Sequence, residues 1–463
     1  MITQLQKLLS AEQILTGGAA QPYCQDWRGR YAGTALAVVF PNSTAQVAAV
    51  VKLCVAHSVS IVPQGGNTSL CGGSVPLPEG QQVVINLSRM NKIIDVDESN
   101  DTLTVEAGCT LAQVCTAAKQ AHRLFPLGLS AIAQQCEIGG NISTNAGGIS
   151  VLRYGNMRNL VLGLEVVLPD GRIWNGLRSL RKDNSGYDLK HLFVGAEGTL
   201  GIVTKAVLRL FPQPESIVTA LIGMSSATTA ARVVEEIRRT CGGSLSAVEL
   251  MSGNCLDLVL KHIPDMQDPF EKRHKWYVLI QLSSLHKGNL QQSLREGITG
   301  ITTAAFEYFV TAEAAIAEQW WQLRRNISEA QKREGVSIKH DVSVPISKIP
   351  VFLLHAEGML RGVFPEVRIV AFGHMGDGNI HYNVSLPDET ENALFIARKE
   401  AIVNSLVYQV VGELNGSISA EHGIGQLKRD VIHEHKSAIE MEMMLSIKQT
   451  FDPQGLMNPG KVF

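Results

Sequence analysis

The chain has 463 residues, 45% of them hydrophobic, with 42 Gly and 17 Pro, a globular composition that excludes wholesale disorder and collagen-like repeats and leaves room for two to four domains. Forty-one basic against 43 acidic side chains give a formal net charge of −2, which argues against a nucleic-acid partner. No apolar run approaches the length of a transmembrane segment, the N-terminus reads as free of a secretory signal, and eight cysteines without a CxxC read as reduced thiols of a cytoplasmic protein.

No period of a few tens of residues repeats, which excludes solenoids and propellers. Three zones appear instead, 1–214, 215–420 and 421–463. In the first, Ser43 and Gln46 are spaced as a capping box opening a helix with the apolar stripe Val47, Val50, Val51, Cys54 and Val55. Strands are expected over 59–62, 82–87, 93–96 and 102–107. Thr110 and Gln113 open another helix, and Pro169-Asp170-Gly171 signals a hairpin between 164–168 and 172–174. A strand ends near Phe211. In the second zone, 227–239 and 312–332 predict amphipathic helices, and 276–282 and 367–372 predict strands, an α+β layer. Tandem Trp320-Trp321 reads as packing. The third zone is too short for a domain and is expected to return to the first.

Neither GxGxxG nor GxxxxGK[ST] occurs, so the Rossmann and P-loop fingerprints are absent. Two loops, PQGGNTSLCGGS (63–74) and GGNISTNAGG (139–148), are nonetheless dense in glycine. Glycine lets backbone approach a ligand, and successive N–H groups form an anion nest. Thr68, Ser69, Ser74, Ser143, Thr144 and Asn145 add side-chain partners, and the pair of loops suits a pyrophosphate. Each loop alone reads equally well as a surface turn.

The stretch GHMGDGNIHYN (373–383) reads as a strand, a tight turn and a return strand, which can set His374 beside His381. Glu421, in SAEHGIG, offers a carboxylate. Two imidazoles and a carboxylate suit Zn2+ or another divalent ion, which lowers the pKa of a bound hydroxyl. Histidine is the side-chain type whose charge changes near neutral pH, so His422 suits a general base. The alternative is a pair of structural histidines. Arg324, Ser328 and Gln331 fall at i, i+4 and i+7 of one expected helix, and Arg forks bind carboxylates. The alternative there is an exposed charged face. His433-Glu434-His435 reads as a solvated face.

PQGGNTSLCGGSVP (63–76), CEIGGNISTNAGG (136–148), RYGNMRNLVLGLEVVLPDG (153–171) and GAEGTLGIVTKAVLRLFP (195–212) resemble the FAD-binding domain of vanillyl-alcohol oxidase and p-cresol methylhydroxylase type flavoproteins. GHMGDGNIHYNV, SAEHGIGQLKR and FDPQGLMNPGKVF resemble the C-terminal domain of FAD-linked oxidases. Within that family the resemblance runs to D-2-hydroxy-acid dehydrogenases, the D-2-hydroxyglutarate enzymes first and the D-lactate enzymes next. It implies an α+β fold: a two-part FAD-binding domain (1–214), a substrate or cap domain with an antiparallel sheet and helices (215–420), and a returning C-terminal segment (421–463).

The resemblance also implies the site. FAD would be held non-covalently by Pro63, Gly65, Gly66, Asn67, Thr68, Ser69, Gly72, Gly73 and Ser74 of the first loop. From the stretch 126–155 it would meet Pro126, Leu127, Cys136, Gly139, Gly140, Ser143, Thr144, Asn145, Gly147, Gly148, Tyr154 and Gly155. Glu197, Gly198, Gly201, Ile202 and Asn458 complete that set. The first loop lacks the His that some members use to attach flavin, and Cys71 and Cys136 are the exceptions to watch. His374, His381 and Glu421 would bind Zn2+ or a similar ion, His422 would be the base with hydride passing to flavin N5, and Asn383 would lie near the substrate. Arg324, Ser328 and Lys339 match positions holding the far carboxylate of hydroxyglutarate, with Ser328 where relatives carry Thr. A D-2-hydroxy acid is therefore the expected substrate, a dicarboxylate such as D-2-hydroxyglutarate or D-malate. The expected electron acceptor is electron-transfer flavoprotein, a quinone or a cytochrome, through which the protein would be peripheral to a membrane. A homodimer is the expected state. Alternatives are a D-lactate or glycolate dehydrogenase, a non-catalytic flavin subunit of a larger oxidase, and a zinc hydrolase.

Overall fold

The computed structural model describes residues 1–129, 132–301, 306–387 and 391–463. The chain folds as two compact units. One comprises 1–148, 154–213 and 421–463; the other comprises 149–153 and 214–420.

The first unit holds a four-stranded sheet ordered Ile14–Leu15, Ala37–Val39, Gln82–Asn86 and Ser60–Gln64, its last three strands parallel. It also holds a five-stranded antiparallel sheet ordered Ile93–Asp97, Thr102–Glu106, Ile202–Arg209, Val161–Val167 and Ile173–Gly176. The expected hairpin at Pro169-Asp170-Gly171 joins the last pair. Helix Thr44–Ala56 starts at Ser43, whose hydroxyl accepts the Gln46 N–H. Only that half of the capping box forms, because the Gln46 amide oxygen accepts instead from the Asn42 N–H and from Gln13. Thr110 and Gln113 form the full box on helix Leu111–Gln120. Val47, Val50, Val51 and Cys54 are buried against Ile61, Val83 and Ile85, so this helix is apolar because it is core. The C-terminal segment joins the same unit through backbone pairing: the Ile61 N–H donates to Leu456 O, and the Asn458 N–H donates to Ile61 O.

The second unit is built on a seven-stranded, wholly antiparallel sheet. Its order is Phe306–Thr311, Ser216–Met224, Trp276–Ser284, Leu245–Ser252, Arg368–His374, Asn379–Ser385 and Ile338–Ser343. Trp320 and Trp321 are buried in its apolar cluster with Leu279, Val370 and Phe372, as expected of packing residues.

The helix expected over 312–332 is corrected. It is two helices, Ala314–Arg325 and Ile327–Glu334, parted at Asn326. The Asn326 side chain donates to the Gln322 carbonyl and side-chain oxygens, a local bond that competes with the helical ladder. Arg324 therefore lies on one helix, and Ser328 and Gln331 on the next. Arg324 and Gln331 are buried while Ser328 is exposed, so the three do not form one face, and Arg324 is not part of an exposed charged surface.

Candidate active site

In the second unit the strand register assembles one polar patch. Glu249 stands directly opposite His374, His374 opposite Asn379, His381 opposite both Phe372 and Asp341, and Asn383 opposite Lys339. Residues opposite one another share a sheet face, as do residues two apart along a strand. The hairpin brings the two imidazoles together, with ring centroids 5.5 Å apart. His374 Nδ1 lies 2.6 Å from Glu249 Oε1, and His381 Nδ1 lies 3.6 Å from Asp341 Oδ1. A ring whose Nδ1 carries its proton toward a carboxylate has its lone pair on Nε2, the arrangement of a metal-ligating histidine.

Four further hydrogen bonds organise this face. Glu249 Oε2 accepts from Arg324 Nε at 2.6 Å, and the guanidinium lies 4.7 Å from the Phe372 ring centroid. Burial pushes Glu249 up, but the charges of Arg324 and His374 and their hydrogen bonds outweigh it and hold the carboxyl at about 2. Asn383 Nδ2 donates to Gln331 Oε1 at 2.8 Å, fixing the amide from helix Ile327–Glu334. Asp341 accepts from Asn379 Nδ2 and from the Ala420 N–H. Glu421 and His422 follow Ala420 in the chain.

In the first unit, the segment carrying Glu421 and His422 is tied by the Glu197 carboxylate. Oε1 accepts the Ile424 N–H at 2.7 Å and Oε2 accepts the Gly425 N–H at 2.8 Å. Cys71 Sγ donates to Gly423 O, and the Gln426 N–H donates to Cys71 O. The His422 ring nitrogen Nε2 lies 4.0 Å from Glu421 Oε1.

The two glycine loops lie against each other in this unit. A Cβ on Gly65 would meet Gly140 N at 3.6 Å, one on Gly66 would meet Gln135 O, just ahead of the second loop, at 1.8 Å, and Gly148 takes φ +119 against Gly128. The loop side chains largely stabilise the loops themselves. Asn67 donates to Gln25 O and accepts from Ser74 Oγ; Ser69 Oγ accepts the Cys71 N–H. Ser143 and Thr144 donate to Gly139 O and Gly140 O, Asn145 Oδ1 accepts the Arg158 N–H, and Cys136 Sγ accepts from Asn141. Asn458 Nδ2 donates to Gly73 O and Glu197 O, and Pro63 packs beside Gly198. Thr68, Gly65, Gly72, Tyr154 and Gly155 are partly or fully buried in the same unit, as are Pro126, Leu127, Gly147, Gly201 and Ile202. Ser130 and Ala131, inside the 126–155 stretch, lie outside the described residues.

The family signature described as "FAD linked oxidases, C-terminal domain" matches residues 213–462, and "FAD binding domain" matches 35–176. The chain belongs to the FAD-linked oxidase family. It is 38% identical over its whole length to the D-2-hydroxyglutarate dehydrogenase of Xanthomonas citri pv. viticola, covering 96% of that protein. It is 36% identical over 94% of its length to the mitochondrial D-2-hydroxyglutarate dehydrogenase of Arabidopsis thaliana, covering 76% of it. Substrate-bound p-cresol methylhydroxylase shares the fold, with a TM-score of 0.77 over all of this chain and 96% of that one at 18% identity. This FAD-linked oxidase is thus an FAD-dependent oxidoreductase of mixed α+β architecture.

The glycine loops fit FAD. Among the described residues, space is open around Gly140, and Glu137 Oε2 and Asn458 Oδ1 are buried oxygens without a hydrogen-bond partner, sites a polar ligand group would satisfy. The paired imidazoles, each facing a carboxylate, suit a divalent cation by donor chemistry. Glu249, Asp341 and Glu137 carry no motif and were missed in the sequence. The available signal was a lone acid within an apolar strand, as in LSAVELMS. No helix among the described residues is long and apolar enough to cross a membrane.

Proposed function

We propose that this FAD-linked oxidase oxidises a D-2-hydroxy acid to the 2-oxo acid, with a dicarboxylate such as D-2-hydroxyglutarate or D-malate preferred over D-lactate. The observation that carries the reading is the sheet face on which His374, His381, Asn383 and Lys339 stand together in this family's C-terminal domain. Bound FAD supplies the acceptor for the hydride that leaves C2. His374, His381 and Glu421 would hold Zn2+ or another divalent ion, which would supply a positive charge that lowers the pKa of the 2-hydroxyl. Asn383, its amide oriented by Gln331, positions the 1-carboxylate and hydroxyl. His422 takes the hydroxyl proton on an imidazole nitrogen. Arg324 and Lys339 receive the second carboxylate, which lactate lacks, and the two cations give the preference for a dicarboxylate; Ser328, exposed on the next helix, is not on the face of Arg324 and is left out of that contact.

The names of the Xanthomonas and Arabidopsis relatives support the substrate class. In this proposal the protein is a cytoplasmic homodimer whose electrons pass to electron-transfer flavoprotein, a quinone or a cytochrome.

Replacing Lys339 with Met tests the substrate assignment. Loss of a charged hydrogen bond to a carboxylate is worth about tenfold to a hundredfold. That loss in kcat/KM is expected for D-2-hydroxyglutarate, against little change for D-lactate. Equal losses on both acids would contradict the dicarboxylate reading.

A further inference from the structure

Glu249 is fully buried and is the one charged residue of its strand. A carboxylate in such a place is retained only where its partners hold it, and removing one partner leaves the other charge stranded. Here both oxygens are committed, Oε1 to His374 Nδ1 and Oε2 to Arg324 Nε, each at 2.6 Å. The His374 contact comes from direct cross-strand register; the Arg324 contact comes from the end of helix Ala314–Arg325. The comparable pair on the other imidazole is looser. Asp341 Oδ1 lies 3.6 Å from His381 Nδ1 and already accepts from Asn379.

We propose that Glu249 is a positioning residue for both halves of the substrate site. By accepting the Nδ1 proton of His374 it makes Nε2 the atom that ligates the cation. By holding Nε of Arg324 it turns the other guanidinium N–H groups toward the second carboxylate of the substrate. One side chain therefore links metal affinity to recognition of a dicarboxylate. This rests on the roles given above to His374 and Arg324.

The test uses purified, FAD-loaded protein and measures Zn2+ affinity by competition with a chromophoric chelator, without substrate. Glu249→Gln is expected to bind Zn2+ about 10–100-fold more weakly than the parent, the usual effect of losing a carboxylate behind a metal-ligating histidine. Its KM for D-2-hydroxyglutarate should rise several-fold more than its KM for D-lactate. The single variant leaves Arg324 as a buried cation without a counter-charge, so Glu249→Gln/Arg324→Met is made alongside it. The double variant should melt cooperatively and show the same loss of Zn2+ affinity, and it carries the test if the single variant does not fold. Parental Zn2+ affinity in the folded double variant overturns the proposal. His374→Ala separates the two layers. If it loses Zn2+ while the Glu249 variants keep it, the positioning role alone fails. If it too binds like the parent, the metal assignment fails and the proposal with it.

Discussion

Glu137 is buried beside the Gly65 and Gly140 backbone, and its Oε2 has no hydrogen-bond partner among the described residues. Burial pushes its carboxyl from an ordinary 4.5 to about 8. Between those values the folded chain holds a proton that the unfolded chain has released, so stability falls as pH rises from about 4.5 to about 8. In FAD-depleted protein, Glu137→Gln should therefore raise the Tm more at pH 8.5 than at pH 5. Parallel Tm profiles for parent and variant would contradict this account. Gly66 makes a different demand. Its Cα faces Gln135 O so closely that a methyl group cannot be placed there. Gly66→Ala should separate the loops and give protein with little bound FAD, read directly as loss of yellow colour on purification. At this scale the sequence showed the glycines and histidines, because their chemistry is local. It hid Glu249, Asp341 and Glu137, whose meaning comes only from strand register and burial.

Among the elements, the hairpin of Arg368–His374 and Asn379–Ser385 was legible because MGDGN is a turn signal flanked by strand residues. The juxtaposition of His374 and His381 followed from it. The break at Asn326 was not legible. The apolar spacing runs through it, and the Asn326 side-chain bond that ends the first helix is not a pattern of hydrophobic periodicity. The C-terminal helix Ala438–Phe451 begins with a full capping box, the Ser437 hydroxyl accepting the Glu440 N–H and the Glu440 carboxylate accepting the Ser437 N–H. It docks through Lys448 Nζ, which donates to Thr199 O and Met457 O. Ser437→Ala removes one side of the box and should cost about 1 kcal/mol in denaturant unfolding. No change in midpoint would mean that docking, not the cap, sets the stability of this helix.

For the whole molecule, three composition zones became two units, since 421–463 is part of the first unit and 149–153 part of the second. The return of 421–463 was an expectation from its short length, and backbone pairing between Ile61 and Leu456 ties it within the first unit; the place of 149–153 in the second unit has no local signal in composition. The fold itself was carried by motifs spread along nearly the whole chain, and the family signatures, over 35–176 and 213–462, cover those stretches apart from 195–212. The most direct measurement of the central claim is an anaerobic visible spectrum of the purified protein, titrated with D-2-hydroxyglutarate, D-malate and D-lactate, with and without chelator. The protein is expected to be yellow and to be bleached by a D-2-hydroxy dicarboxylate at far lower concentration than by D-lactate, with bleaching lost on chelation and restored by Zn2+. A yellow protein that none of these acids bleaches would contradict it.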